Sequence, residues 1–333
     1  MTENAIARLI LGESSAIQTL HERIARVAPS DLPVLIQGPS GSGKELVAAA
    51  LHQASGRSGS LVAFNVCALA ETMFESQLFG HVRGAFTGAT TDVPGFLTEA
   101  HRGTLFLDEI SSLVAGAQAK LLRAIDTGSF RPVGARQDQR SDFRVVAATN
   151  DVLSELVTAG RFRLDLFQRL SGVVLHVPPL NERVDDIALL ARHFVRQLGA
   201  GKGPPVDITS GAIRVLQQYE WPGNVRELRH VLAAAALLAP TPVLTADAVC
   251  AALQSNPVAA GSADGQLLER RQLIALLEKV GGDTGRAALL LGVNRSTIYR
   301  RAWRLGVDPA AYRPGESRSD RHEDGKTDLR VLR

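Results

Sequence analysis

Pro33-Val-Leu-Ile-Gln-Gly-Pro-Ser-Gly-Ser-Gly-Lys44 is the stretch that decides the fold. Pro33 to Gln37 is a short apolar run and predicts a buried strand. A Gly-rich turn follows, and a helix is expected from Lys44 to about Ala54. A strand, a Gly-rich turn and a helix in that order form the setting of a phosphate-binding loop. Glycines let backbone N–H groups approach phosphate, and the helix N-terminus adds positive potential. The loop residues are Gly38, Pro39, Ser40, Gly41, Ser42, Gly43 and Lys44, with Lys44 placed to neutralise the β- and γ-phosphates of ATP. The generic motif ends in Ser or Thr. Glu45 stands there instead, so a Gly-rich turn without nucleotide stays open on spacing alone.

Outward from this loop, β-rich runs alternate with helical patterns. Ser60 to Phe64, Gly103 to Asp108, Phe143 to Ala148 and Val173 to Val177 read as further strands. Strands alternating with helices predict an α/β fold, a parallel sheet flanked by helices on both faces. From Pro178 to Leu253 the pattern turns helical. The resulting expectation is an α/β ATPase subdomain at 1–177 and a helical lid at 178–253. A linker at 254–265, rich in Ser, Ala and Gly, leads to a compact helical domain at 266–307, and 308–333 reads as a disordered tail.

The second half of a nucleotide site lies at Leu105-Phe-Leu-Asp108-Glu109. Asp108, at the tip of an apolar strand, can hold Mg2+. Glu109 can polarise the water that attacks the γ-phosphate. A strand ending in solvated acids is the plainer reading, and a phosphate loop upstream weighs against it. Thr149-Asn150 ends the next strand and puts an amide where it can sense the γ-phosphate. Ordinary turn chemistry also places Asn there.

The bulk numbers agree with a protein of the cytosol. Of 333 residues, 45% are hydrophobic and 21% charged, the balance of a soluble globular chain. The longest apolar run, Val231 to Ala239, is too short to cross a bilayer. No signal peptide is expected. Cys67 and Cys250 stand far apart, which points to a reducing compartment and no disulfide framework. Histidines and acids show no zinc spacing. Net charge is only +3, but between Gln266 and Val307 eight basic residues face three acids. An excess of +5 on so small a segment suits a phosphate backbone.

Gly84-Ala-Phe-Thr-Gly-Ala89 lies between the two halves of the ATP site, preceded by Glu75-Ser-Gln-Leu-Phe-Gly-His81. This hexapeptide resembles the signature loop of bacterial enhancer-binding proteins, the AAA+ activators of sigma-54 RNA polymerase. Gly12-Glu-Ser-Ser, Gly43-Lys-Glu-Leu-Val, Phe162-Arg-Leu-Asp-Leu-Phe-Gln-Arg169-Leu and Trp221-Pro-Gly-Asn-Val-Arg226-Glu-Leu match as well. The resemblance runs from about Leu11 to Leu253 and again over the C-terminal helices. It implies that Glu45 is usual in the loop. It implies that Gly84, Ala85, Phe86, Thr87, Gly88 and Ala89 contact sigma-54. It casts Asn65 as a switch holding Glu109 from its water, Arg163 and Arg169 as fingers reaching a neighbouring subunit, and Arg226 as a sensor on the lid. A homo-oligomer, from dimer to hexameric ring, follows from fingers that act between subunits. The chain departs from the family pattern at Pro39, Gln77, His101-Arg102 and Asn181, none of them in a catalytic role.

Gly285 to Leu305 reads as helix, Gly-containing turn, helix, and resembles the Fis-type helix-turn-helix. Asn294 can cap the second helix, and Ile298, Ala302 and Leu305 fall on one face toward a core. That leaves Asn294, Arg295, Ser296, Thr297, Tyr299, Arg300 and Arg304 as candidates for an enhancer site on double-stranded DNA. Leu267 to Leu277 is the candidate dimer helix. The phosphate loop starts near residue 38, so control by a regulatory protein in trans, or by expression level, is expected. An unfoldase sharing the ATP site, a regulator of another sigma factor and a repressor without ATPase are the rival readings. The whole signature loop and the retained Asp108, Glu109 and Arg169 weigh against them.

Overall fold

The computed structural model describes residues 2–68, 71–199, 207–239, 241–256, 270, 273–291, 298, 302, 305, 307 and 309–312. Two compact units emerge, Met1–Leu253 and Gln254–Arg333.

The first unit is built on five parallel strands, β1 (Val34–Gln37), β2 (Leu61–Asn65), β3 (Thr104–Asp108), β4 (Arg144–Thr149) and β5 (Val173–His176), in the order β2-β3-β4-β1-β5. These are the five runs expected, each within a residue or so of its predicted bounds. Alternation along the strands feeds two cores. Leu35, Leu105, Leu107, Val145 and Ala147 face one side of the sheet. They pack on α4 (Glu71–Phe79), α5 (Ala115–Thr127), α6 (Leu153–Thr158) and α7 (Leu164–Leu170). Val34, Ile36, Phe106, Val146 and Ala148 face the other, against α1 (Thr2–Leu9), α2 (Ser15–Val27) and α3 (Lys44–Ser55). Period-two side chains that are apolar on both faces are what a sheet covered twice requires. Arg144 opens the central strand and is 2% exposed. Its guanidinium donates to the carbonyls of Val27, Ala28 and Leu32, closing the C-terminal end of α2, where carbonyls would otherwise lack partners.

Beyond β5 the chain is mainly helical, with α8 (Asp186–Gly199), α9 (Ser210–Gln217), α10 (Asn224–Leu238) and α11 (Ala246–Ser255). A two-residue parallel pair, Asp207–Ile208 with Val243–Leu244, is an addition the helical pattern did not foretell. Trp221, 1% exposed, sits at the turn into α10 with a left-handed φ of 55°. Its indole N–H donates to the Leu216 carbonyl at 2.7 Å. Trp221→Ala is expected to cost about 3–5 kcal/mol, the range for emptying a buried aromatic site. Denaturant unfolding checks this, and a loss below about 1 kcal/mol would mean that the turn is held from elsewhere.

In the second unit, Leu273, Leu277, Ala287, Ala288, Ile298, Ala302, Leu305 and Val307 form one small core. Ile298, Ala302 and Leu305 therefore bury as their spacing predicts. The helix Thr284–Leu291 is opened by Asp283, whose carboxylate accepts from the backbone N–H of Gly285 and Arg286, a capping role not anticipated from the sequence. Asn294, Arg295, Ser296, Thr297, Tyr299, Arg300 and Arg304 lie outside the described residues, as do most of the expected linker and the tail from 313. Among the described residues no helix is long and apolar enough to cross a membrane.

Candidate functional site

All five strands run parallel, so their C-terminal ends meet at one edge of the sheet. The register pairs Gln37 with Thr149 and Asn65 with Asp108. That edge gathers the loop 38–43, Asn65, the acids at 108 and 109, and Asn150. The N-terminus of α3 opens the site. Its cap is Gly43, with φ 107° and no side-chain hydrogen bond, so no side chain competes for the first N–H groups of the helix. Such a terminus suits an anion. Lys44, 6% exposed, folds its ammonium onto the carbonyls of Gly38 (3.0 Å) and Pro39 (3.4 Å).

The helical region closes over this loop. The Asn224 amide donates to the Ser40 carbonyl at 3.0 Å, and its oxygen accepts from the Leu180 N–H at 2.8 Å. Arg226 reaches the Ser40 hydroxyl at 3.1 Å, and its backbone N–H reaches the Gly41 carbonyl. Gly41 has φ 75°, and a Cβ there would stand 2.4 Å from the Gly223 carbonyl oxygen. Only glycine permits so close an approach. Sequence reasoning took the loop glycines as room for phosphate; this one also makes room for the lid.

Glu109 turns out of the strand with φ 55°. Burial raises its pKa above the ordinary carboxylate value, with Lys44 and Arg226 opposing and Asp108 and Asp151 adding to the rise. A carboxylate tuned upward beside a phosphate loop fits a general base. Asp108 accepts from the Asn65 amide at 3.3 Å. The family resemblance casts Asn65 as a switch on Glu109, and here its amide lies on the neighbouring Asp108. Register sets Asn65 opposite Asp108 on the adjacent strand, while Glu109 has already left the strand. The side-chain oxygen of Asn65 accepts from the Cys67 N–H at 2.9 Å. Asn150 is exposed at the end of β4.

Both finger candidates are exposed and paired within the subunit. Arg163 meets Asp165 at 2.8 Å and Arg169 meets Asp126 at 2.9 Å. Hydrogen bonding from Arg163 holds the Asp165 carboxyl below its usual range. Exposed pairs of this kind are weak enough to exchange partners. The segment 84–89 is a turn closed by the Gly84 N–H on the Ala89 carbonyl at 2.9 Å. Phe86 is 46% exposed and lies 5.0 Å from the His81 ring.

Residues 10–176 match the family called Sigma-54 interaction domain. The chain belongs to this family of sigma-54-dependent transcriptional activators. Residues 181–266 match the AAA+ ATPase lid domain, and 266–302 the Fis-family bacterial regulatory protein domain. The Nif-specific regulatory protein of Klebsiella pneumoniae is 42% identical over 302 residues, covering 87% of this chain and 58% of its own. ZraR of Salmonella typhi is 44% identical over 295 residues, 87% of this chain and 67% of its own. This activator chain thus spans 58% of the Nif-specific relative's length. Among solved structures, NtrX from Brucella abortus in complex with ATP superposes with a TM-score of 0.66 at 35% identity, covering 90% of this chain and 69% of that one. A RuvB mutant of Thermotoga maritima shares the fold alone, with a TM-score of 0.52 at 15% identity.

Arg183, Asp186 and Asn224, which tie the helical region to the phosphate loop and to the start of α2, were not singled out in the sequence. A signal existed: two opposite charges three residues apart, just after Pro178-Pro179-Leu180, in a region read mainly for its helical pattern.

Proposed function

We propose that this activator binds and hydrolyses ATP, and uses the cycle to convert closed sigma-54 RNA polymerase promoter complexes to open ones from an upstream DNA site. The observation that carries the reading is the convergence of an open helix N-terminus, buried Lys44, and the carboxylates of Asp108 and Glu109 on one sheet edge. Ser40, Gly41 and Gly43 offer backbone N–H groups to the phosphates, Pro39 having none and Gly38 and Ser42 donating within the protein, and Lys44 neutralises their charge. Glu109 takes the proton from the attacking water.

The donor set suits Mg2+ as a substrate-borne ion. Asp108 is one carboxylate at the strand tip, and among the described residues there is no cluster of three or more metal-binding side chains. An ion of this kind is held by one or two carboxylates together with phosphate oxygens and water. When bound at Asp108, Mg2+ neutralises developing phosphate charge. Asn150 and Arg226 then read the γ-phosphate from the two sides of the site. Arg163 and Arg169 leave Asp165 and Asp126 to reach a neighbouring subunit, which requires an oligomeric ring. The turn bearing Phe86 and Thr87 is the part that grips sigma-54, and the second unit reads DNA through 294–304.

The test is ATP-dependent open-complex formation on a sigma-54 promoter, with wild type beside Thr87→Ala and Glu109→Ala. Wild type is expected to open the promoter. Thr87→Ala is expected to hydrolyse ATP without opening it, and Glu109→Ala to do neither. Hydrolysis by wild type with no opening at any concentration would remove the sigma-54 step and leave an ATPase acting on another client.

A further inference from the structure

Two buried charges at the entry to α8 take no part in the chemistry above. Arg183 is 4% exposed and Asp186 1%. The Arg183 guanidinium donates to the backbone carbonyl of Ser42, inside the phosphate loop, at 2.9 Å. Asp186 accepts the backbone N–H groups of Glu13 and Ser14 at 2.6 and 2.8 Å, and the Ser14 hydroxyl at 2.6 Å. Contact there is close enough to need glycine beside it: a Cβ on Gly12 would stand 2.8 Å from a carboxylate oxygen of Asp186. One short stretch of the lid therefore holds both the phosphate loop and the segment that opens α2, across 141 and more than 170 residues of chain.

The hydrogen bonding is unequal. Asp186 has three donors. Arg183 keeps its Nε buried without a partner, and so does the hydroxyl of Ser42, the residue whose carbonyl it binds. Burial lowers the pKa of Arg183, with Asp186 opposing. Buried charges are poor devices for stability, since apolar side chains of similar size do as well or better. The Arg183 Nε and the Ser42 hydroxyl lack a partner from the protein itself, and a buried polar group calls for one.

We infer that Arg183 and Asp186 form a clasp coupling the position of the lid to the shape of the phosphate loop, so that they govern how long nucleotide is held. The inference rests on the nucleotide reading above. Both are positioning residues. Swinging α8 outward draws Arg183 off the Ser42 carbonyl and Asp186 off residues 13 and 14 together. The loop loses its packed support at the moment the lid opens. Cleavage, set by Glu109 and the fingers, is left to other atoms.

The experiment follows release of a fluorescent ATP analogue from the full chain by stopped flow, with steady-state KM and kcat and melting temperature measured without nucleotide. Asp186→Asn keeps the shape but removes the charge and one acceptor position. It is expected to speed release and raise KM by about tenfold, with kcat at saturation within about threefold. Arg183→Lys keeps charge and one donor and is expected to recover part of the loss. A lower melting temperature with unchanged release would reduce the clasp to a structural brace and overturn the inference. A fall in kcat at unchanged KM would overturn it too. Lys44→Ala is the control: if wild type binds no better than Lys44→Ala, the nucleotide reading fails first and the clasp with it.

Discussion

Glu109→Gln is expected to lower ATP turnover by about three orders of magnitude, within the range for a lost general base, while nucleotide affinity changes less than about threefold. Steady-state hydrolysis beside equilibrium binding of an ATP analogue measures both. The pH profile carries a second signature. Burial raises the Glu109 pKa, so the acid limb of turnover should lie above the ordinary carboxylate value of about 4.3. Stability moves the other way. A carboxyl whose folded pKa is raised contributes stability that is full below its unfolded pKa and lost as pH rises through the folded value. At neutral pH the ionised Glu109 is therefore a cost, and the Gln variant should melt slightly above wild type. That advantage should vanish on acidification to about pH 4. A variant that melts lower at pH 7 and keeps its turnover would remove Glu109 from the role of base.

The second large effect is expected at Arg169. Its ion pair with Asp126 spans 2.9 Å between side chains about half exposed, 48% and 46%. Such a pair is worth about 0–1 kcal/mol, so Arg169→Ala should unfold much like wild type. Turnover is nonetheless expected to fall by about three orders of magnitude, the scale of a lost arginine finger. Mixing supplies the decisive arm. Arg169→Ala and Glu109→Gln chains are each inactive alone. Combined, they create interfaces in which an intact Glu109 meets an intact Arg169 from the neighbour. Turnover should then reappear and peak near equal proportions. Inactivity at every ratio would show that Arg169 acts within its own subunit, or only as a partner for Asp126. Arg163, paired with Asp165 two residues on, should complement in the same way.

What was legible in the sequence was local. Val34 to Gly43 announces strand, turn and helix because each step is written in neighbouring residues: β-branched apolar groups, then glycines able to take φ values of 75° and 107°. The alternation of Leu105, Phe106 and Leu107 declares a sheet covered on two faces, since successive side chains must point oppositely. Ile298, Ala302 and Leu305 declare a helix face by their spacing. The acids at 108 and 109 follow from the strand that ends in them.

Tertiary structure alone decided the partners. Asn65 lies on Asp108 because the register of β2 with β3 puts them opposite, 43 residues apart. Arg169 found Asp126 on a different helix. The ties from lid to phosphate loop, Arg183 to Ser42 and Asn224 to Ser40, span 141 and 184 residues. Secondary structure is coded by short periods, which a single chain displays. A hydrogen bond between distant side chains has no period, and it exists only once packing has brought the two elements together.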